Sequence, residues 1–217
     1  MTKECARCST KECYEGKDCF GLAGEARNSY KDEEVKSMRV SGEIEAEHYM
    51  KLTRLEEIAL YAKKMGMQKL GVAFCVGLSK EAEILDAILT KQGFEVHSAC
   101  CKICGIDKGE LGIVKMGSPS DKEAICNPVG QALRLKGCGT QMNILVGLCI
   151  GHDMLFTKHS HAPVTTLMSR TAYCRTTQLG QYTVRTTGRP GSASRPSESQ
   201  TPCAANMFAI TGLSVPR

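Results

Sequence analysis

Cys5 and Cys8 stand in a Cys-x-x-Cys spacing, and Cys13 and Cys19 follow within the same fifteen residues. That spacing lets two sulfurs of one tight turn reach a single ion. Four thiolates complete a tetrahedral zinc site or hold an iron–sulfur cluster. Lys3, Arg7, Lys11 and Lys17 flank the four and would offset the negative charge of such a centre. A second set is spread further along the chain: Cys75, then Cys100, Cys101 and Cys104, then Cys126, then Cys149 in the run Cys149-Ile150-Gly151-His152-Asp153. Thiolates serve as soft metal ligands or as nucleophiles, and a nearby histidine serves as a ligand or a general base. Buried cysteine is also a small hydrophobe. The second set is therefore a site only if the fold gathers it.

The elements that could gather it are legible in the apolar pattern. Ile44, Leu52, Leu55, Ile58, Ala59, Ala62 and Met65 recur at helical spacing, and Gly66 supplies a stop. Lys69–Cys75 reads as a buried strand. Ser79 is placed to cap a helix reaching Gln92, with Gly93 after its end. Phe94–Ala99 is a second strand, and residues 102–120 form a Gly-rich loop. Asn127-Pro128 opens a helix to Lys136, Met142–Leu148 is a third strand, Asp153 starts a short helix, and Pro163–Leu167 is a fourth strand.

Apolar strands alternating with amphipathic helices imply an α/β fold: a small three-layer domain with a mostly parallel sheet and helices on both faces, over residues 43–167. It is preceded by a cysteine-rich metal knuckle (1–20) and a linker-like stretch (21–42). In open parallel sheets ligands bind outside the carboxyl ends of the strands. Cys75, Cys101, Cys126 and Cys149 all fall at that edge. Several precede helix N-termini, where the dipole favours the thiolate.

Composition narrows the function. With 217 residues and 42% hydrophobic content the chain can bury a core, which excludes a fully disordered protein. The longest apolar runs, Leu70–Leu78 and Ile144–Ile150, are too short to cross a bilayer. No apolar segment follows the N-terminal Met-Thr-Lys-Glu-Cys, so no export signal is read. The thirteen cysteines are then expected as thiols in a reducing cytoplasm, serving metal or catalysis. Residues 1–167 carry 17 Lys, 5 Arg and 22 acids, whereas residues 168–217 carry 6 Arg and one acid, Glu198. All the net positive charge thus lies in the tail, and no nucleic-acid surface or membrane partner is expected. The phosphate-binding patterns GxGxxG and GxxxxGK[ST] and a serine-nucleophile elbow are missing from the sequence.

The tail itself, 168–217, is rich in Thr, Ser, Arg and Pro and has no periodicity. It reads as a disordered tail, and codon arithmetic points to an out-of-frame one. Shifting the frame of Met168–Gln181 by two bases permits Val-Lys-Asp-Arg-Val-Leu-Pro-His-Asn-Pro-Val-Gly-Ala, which continues the preceding strand.

Five stretches resemble an uncharacterised prokaryotic family, domain of unknown function eighteen-forty-seven, whose members are often labelled metal-binding. They are CARCSTKECYEGKDC (5–19), KLTRLEEIALYAKKMGMQKLGVAFCVGL (51–78), GFEVHSACCKICGIDKGELG (93–112), ICNPVGQA (125–132) and NILVGLCIGHDMLFTKHSHAPVTTL (143–167). The resemblance implies that members continue with a Lys-Asp-Arg…His-Asn-Pro segment, as the shifted frame does. It also implies Gly at the position of Cys104.

The expectation is a cytoplasmic metal-binding protein carrying zinc or an iron–sulfur cluster. Cys5, Cys8, Cys13 and Cys19 form one site. Cys75, Cys101, Cys126 and Cys149 form a second, with redox chemistry as one use. The alternatives are a thiol-dependent enzyme using Cys149 or Cys75 with His152 and a purely structural N-terminal zinc, and an interaction module with a structural zinc knuckle.

Overall fold

The computed structural model describes residues 4–170. The expected tail lies outside the described residues from Thr171 onward. The chain divides into two units, one holding residues up to Gln68 with Gln92–Phe94, the other holding Lys69–Lys91 and the residues from Glu95.

The first unit begins with two short 3-10 turns, Cys5–Arg7 and Glu12–Glu15, followed by helices α1 (Ala23–Ser29), α2 (Asp32–His48) and α3 (Arg54–Met65). The stretch expected as linker, 21–42, is thus largely helical. Its acidic run explains why: Asp32, Glu33 and Glu34 fill the first turn of α2, and the Glu34 carboxylate accepts the Lys31 backbone N–H at 2.8 Å. The single helix expected from Ile44 to Met65 is two. Met50 has a φ of 55°, and Thr53 opens α3 with a reciprocal bond to the Glu56 backbone N–H. Thr53-x-x-Glu56 is a capping box that forces a new start. Ser37 and Tyr61 hydroxyls meet at 2.7 Å, and Lys64 reaches Glu43 and Glu47 at 3.0 and 3.4 Å, tying α2 to α3.

The second unit holds a four-stranded sheet: β1 (Lys69–Phe74), β2 (Glu95–Cys100), β3 (Met142–Val146) and β4 (Val164–Met168), with α4 (Ser79–Lys91), α5 (Pro128–Gly137) and α6 (His152–His159) between them. The order is β2-β1-β3-β4 and every pairing is parallel. Burial follows that order. The inner strands, KLGVAF and MNILV, are almost wholly buried, whereas most residues of the edge strands are half-buried or exposed. β1 connects outward to β2 through α4. The chain then returns past β1 to β3 through α5 and continues to β4 through α6. By the rule that crossovers between parallel strands are right-handed, α4 belongs on one face and α5, packed on α6, on the other; the α/β fold holds, its sheet wholly parallel. Ser79 is the first residue of α4 rather than its cap; its hydroxyl donates to the Val76 carbonyl at 2.6 Å.

Small residues let α5 settle onto the sheet. Ala73, Ala99, Ala132, Leu135, Leu145, Leu148 and Phe156 form one buried cluster. A side chain at Gly71 would run into Asn143 Oδ1 and stand 2.9 Å from Leu135 Cδ1. Asn143 is itself fully buried and satisfied: Oδ1 accepts from Thr140 Oγ1 and Nδ2 donates to Ser160 Oγ, both at 2.8 Å.

Candidate functional site

The strand order reverses between β1 and β3. In a parallel sheet the crevice outside the carboxyl ends of such a pair is where ligands bind. Here that crevice is built of cysteine. Cys75 leaves β1 while still in the ladder, its N–H donating to Val146 O at 3.0 Å. Its carbonyl accepts the Leu78 N–H at 2.8 Å, which turns the chain towards α4. Cys101 follows the last residue of β2. Its N–H donates to Phe74 O at 2.9 Å and its carbonyl accepts the Asn127 N–H at 2.7 Å. That second bond brings the start of α5, and Cys126 before it, to the end of β2. Cys149 lies three residues beyond β3, and its carbonyl accepts the His152 and Asp153 N–H groups that open α6.

Burial divides the four. Cys75 and Cys101 are buried, while Cys126 and Cys149 are partly open to solvent. The Cys101 sulfur accepts the Val76 N–H at 3.2 Å. Burial nevertheless pushes its thiol up to about 12, and the neighbouring Cys126, Cys75 and Cys100 add to the rise by repelling a charge there. Cys101 is therefore a neutral thiol at neutral pH.

An arginine completes the arrangement. Gly147 N–H donates to Met168 O at 2.7 Å, holding the end of β4 against the end of β3. Two residues later, Arg170 Nη1 lies 3.1 Å from Cys149 Sγ and 3.3 Å from Cys75 Sγ. The hydrogen bond to Cys149, then the charges of Cys75 and Cys149, raise the guanidinium's pKa further. Arg170 was not foreseen. It falls in the tail expected to be out of frame, and nothing in its neighbours marks it as functional.

Two further polar residues brace this edge. Asn127 caps α5, its Oδ1 accepting the Gly130 N–H at 2.8 Å. The buried Gln131 donates from Nε2 to Phe74 O at 3.1 Å and Ala99 O at 2.7 Å, clamping β1 to β2 just before Cys75 and Cys100. The expected partner His152 is the first residue of α6, and its ring makes no hydrogen bond or ion pair with another described residue.

The N-terminal four stand apart in sequence and environment. Cys5, Cys8 and Cys13 are exposed and Cys19 is partly covered. Cys8 N–H closes the first turn onto Cys5 O at 3.2 Å. Backbone N–H groups, Lys11 first, together with the Thr10 hydroxyl, lower the Cys8 thiol pKa, as is usual where a turn wraps a sulfur. Asp18 accepts the N–H groups of Gly21, Leu22 and Ala23, fixing the chain beside Cys19. Among the described residues no group of three or more His, Cys, Asp or Glu side chains is already arranged to hold a metal ion. None of their helices is long and apolar enough to cross a membrane.

The sequence profile of a family described as protein of unknown function (DUF1847) matches residues 17–167. An uncharacterized protein of Methanocaldococcus jannaschii is 52% identical over 167 residues, 76% of this chain and 86% of the relative. No solved structure matches. The profile match takes in all four sheet-edge cysteines and ends three residues before Arg170.

Proposed function

The chain belongs to the DUF1847 family, and on that premise we propose that it is a metal-binding protein whose sheet-edge Cys75, Cys101, Cys126 and Cys149 take a thiophilic ion, zinc or iron in an iron–sulfur cluster. What supports this reading is that Cys75, Cys101, Cys126 and Cys149, from four separate segments, follow or adjoin the strand ends where the order reverses. Four soft donors are what a closed tetrahedral site uses.

The donor set fits by its chemistry, and the side chains have two things to do before they could close on an ion. Arg170 must swing away from Cys149 and Cys75. Cys101 must give up its proton, so loading is expected to release protons and to strengthen with pH. A bound ion would supply charge compensation for the thiolates, and in a cluster it would supply electron transfer. Cys5, Cys8, Cys13 and Cys19 are proposed as a second site, supported by the tight Cys5–Cys8 turn and the backbone donors to the Cys8 sulfur. The alternative, an enzyme nucleophile with His152 as base, is less supported, because the His152 ring is bonded to neither Cys149 nor Cys75.

Anaerobic purification followed by an absorption spectrum and metal and sulfide analysis tests the reading. Cys75→Ser and Cys149→Ser are expected to remove one complement of metal and leave the N-terminal one. If both variants carry the same metal as the parent chain, the sheet-edge site is wrong.

A further inference from the structure

Arg170 Nη1 touches the sulfurs of Cys75 and Cys149 together, at 3.3 and 3.1 Å. Two atoms bound to one nitrogen can be no further apart than those two distances combined. These are the cysteines that follow neighbouring parallel strands, with Phe74 of β1 registered on Val146 of β3 and Cys75 N–H bonded to Val146 O. Both sulfurs are free, and they differ in access: Cys149 is partly open to solvent and Cys75 is buried. Arg170 is exposed.

We propose that Cys149 and Cys75 are a thiol–disulfide couple, with Cys149 attacking a low-molecular-weight disulfide and Cys75 resolving it. The Cys149 thiolate forms a bond to one sulfur of the small disulfide, whose own S–S bond breaks, and the other half leaves as a thiolate. The Cys75 sulfur, giving up its proton to solvent, then bonds to Cys149 Sγ and expels the second half. The protein loses two electrons and two protons, and the small disulfide gains them as two thiols. Access sets the direction, because only Cys149 can be met from outside. Arg170 is a positioning residue: one nitrogen holds both sulfurs within reach of each other. Closing the bond to about 2.05 Å replaces that contact. The couple needs no metal, so it stands or falls separately from the metal reading, which is decided by the metal content of the reduced protein.

The test uses the full chain, freed of metal by chelation and held anaerobically in graded mixtures of reduced and oxidised glutathione. Free thiols are then blocked, and the digest is mapped by mass spectrometry. The expected product is a peptide pair joined through Cys75 and Cys149. Cys75→Ser is expected to retain glutathione on Cys149 as a stable mixed disulfide, and Cys149→Ser to leave Cys75 reduced. Arg170→Gln is expected to slow formation of the mixed disulfide about tenfold while circular dichroism stays unchanged, the loss of one charge-assisted hydrogen bond. No Cys75–Cys149 linkage at any ratio, or linkage of either residue to Cys101 or Cys126 instead, would overturn the proposal.

Discussion

Above pH 9 the metal-free folded chain should lose stability through Cys101, and Cys101→Ala should abolish that loss. The thiol is buried, and its pKa rises from an ordinary 9.0 to about 12. As pH climbs through 9, an unfolded chain releases this proton while the folded chain keeps it. The unfolded state then binds fewer protons, and stability falls. The contribution is fully present below pH 9 and is lost by pH 12. Linkage over a three-unit gap gives a loss of roughly 1 kcal/mol by pH 10 and roughly 3 kcal/mol by pH 11. Ionisation at groups remote from Cys101 is common to both chains. The readout is therefore the difference between them. Urea unfolding with reductant and chelator, at pH 8, 10 and 11, should show the two stabilities converging. Cys101→Ala costs something at pH 8, as any truncation in a packed interior does, and then declines less steeply. Parallel pH curves for the two chains would refute the reasoning, for they would mean that Cys101 is not a buried neutral thiol.

Other expectations follow from the same geometry. Arg170→Ala should tighten zinc binding several-fold in a chelator competition, because a competing cation leaves Cys149 and Cys75; unchanged or weaker binding would count against displacement of the arginine. Gly71→Ala should destabilise by roughly 3 kcal/mol in urea, since the added methyl overpacks Leu135 and displaces the buried Asn143 amide from Thr140. Asn127→Ala should cost about 1 kcal/mol through the lost α5 cap, and it should make Cys126 alkylate faster. Asp107 is held down to about 2, first by Lys115 and then by the Glu123 and Gly109 N–H groups. Its contribution is present above its ordinary 3.8 and disappears as pH falls towards 2, so Asp107→Asn should make loop 103–125 as protease-sensitive at pH 6 as the parent loop is at pH 2.

The chain's own pattern determined the parallel α/β sheet, because central strands covered on both faces are near-continuous apolar runs, as Leu70–Phe74 and Ile144–Val146 are. It also placed Cys75, Cys101 and Cys149 just beyond strand ends, whereas Cys126 reaches that edge only through the Asn127 N–H bond to Cys101 O. Local signals for the helices of the first unit lie in the sequence as well: the acids 32–34 form the first turn of α2, and Thr53-x-x-Glu56 is the capping box that starts α3. What only the tertiary structure decided is how the thiols differ. Cys101 is driven neutral by burial, Cys149 is left open, and an arginine from beyond β4 is laid across two sulfurs far away in sequence. Spacing along the chain carries the repeating geometry of strands and helices. Burial and a charge contact across 95 residues depend on where separate segments meet, and only the fold sets that.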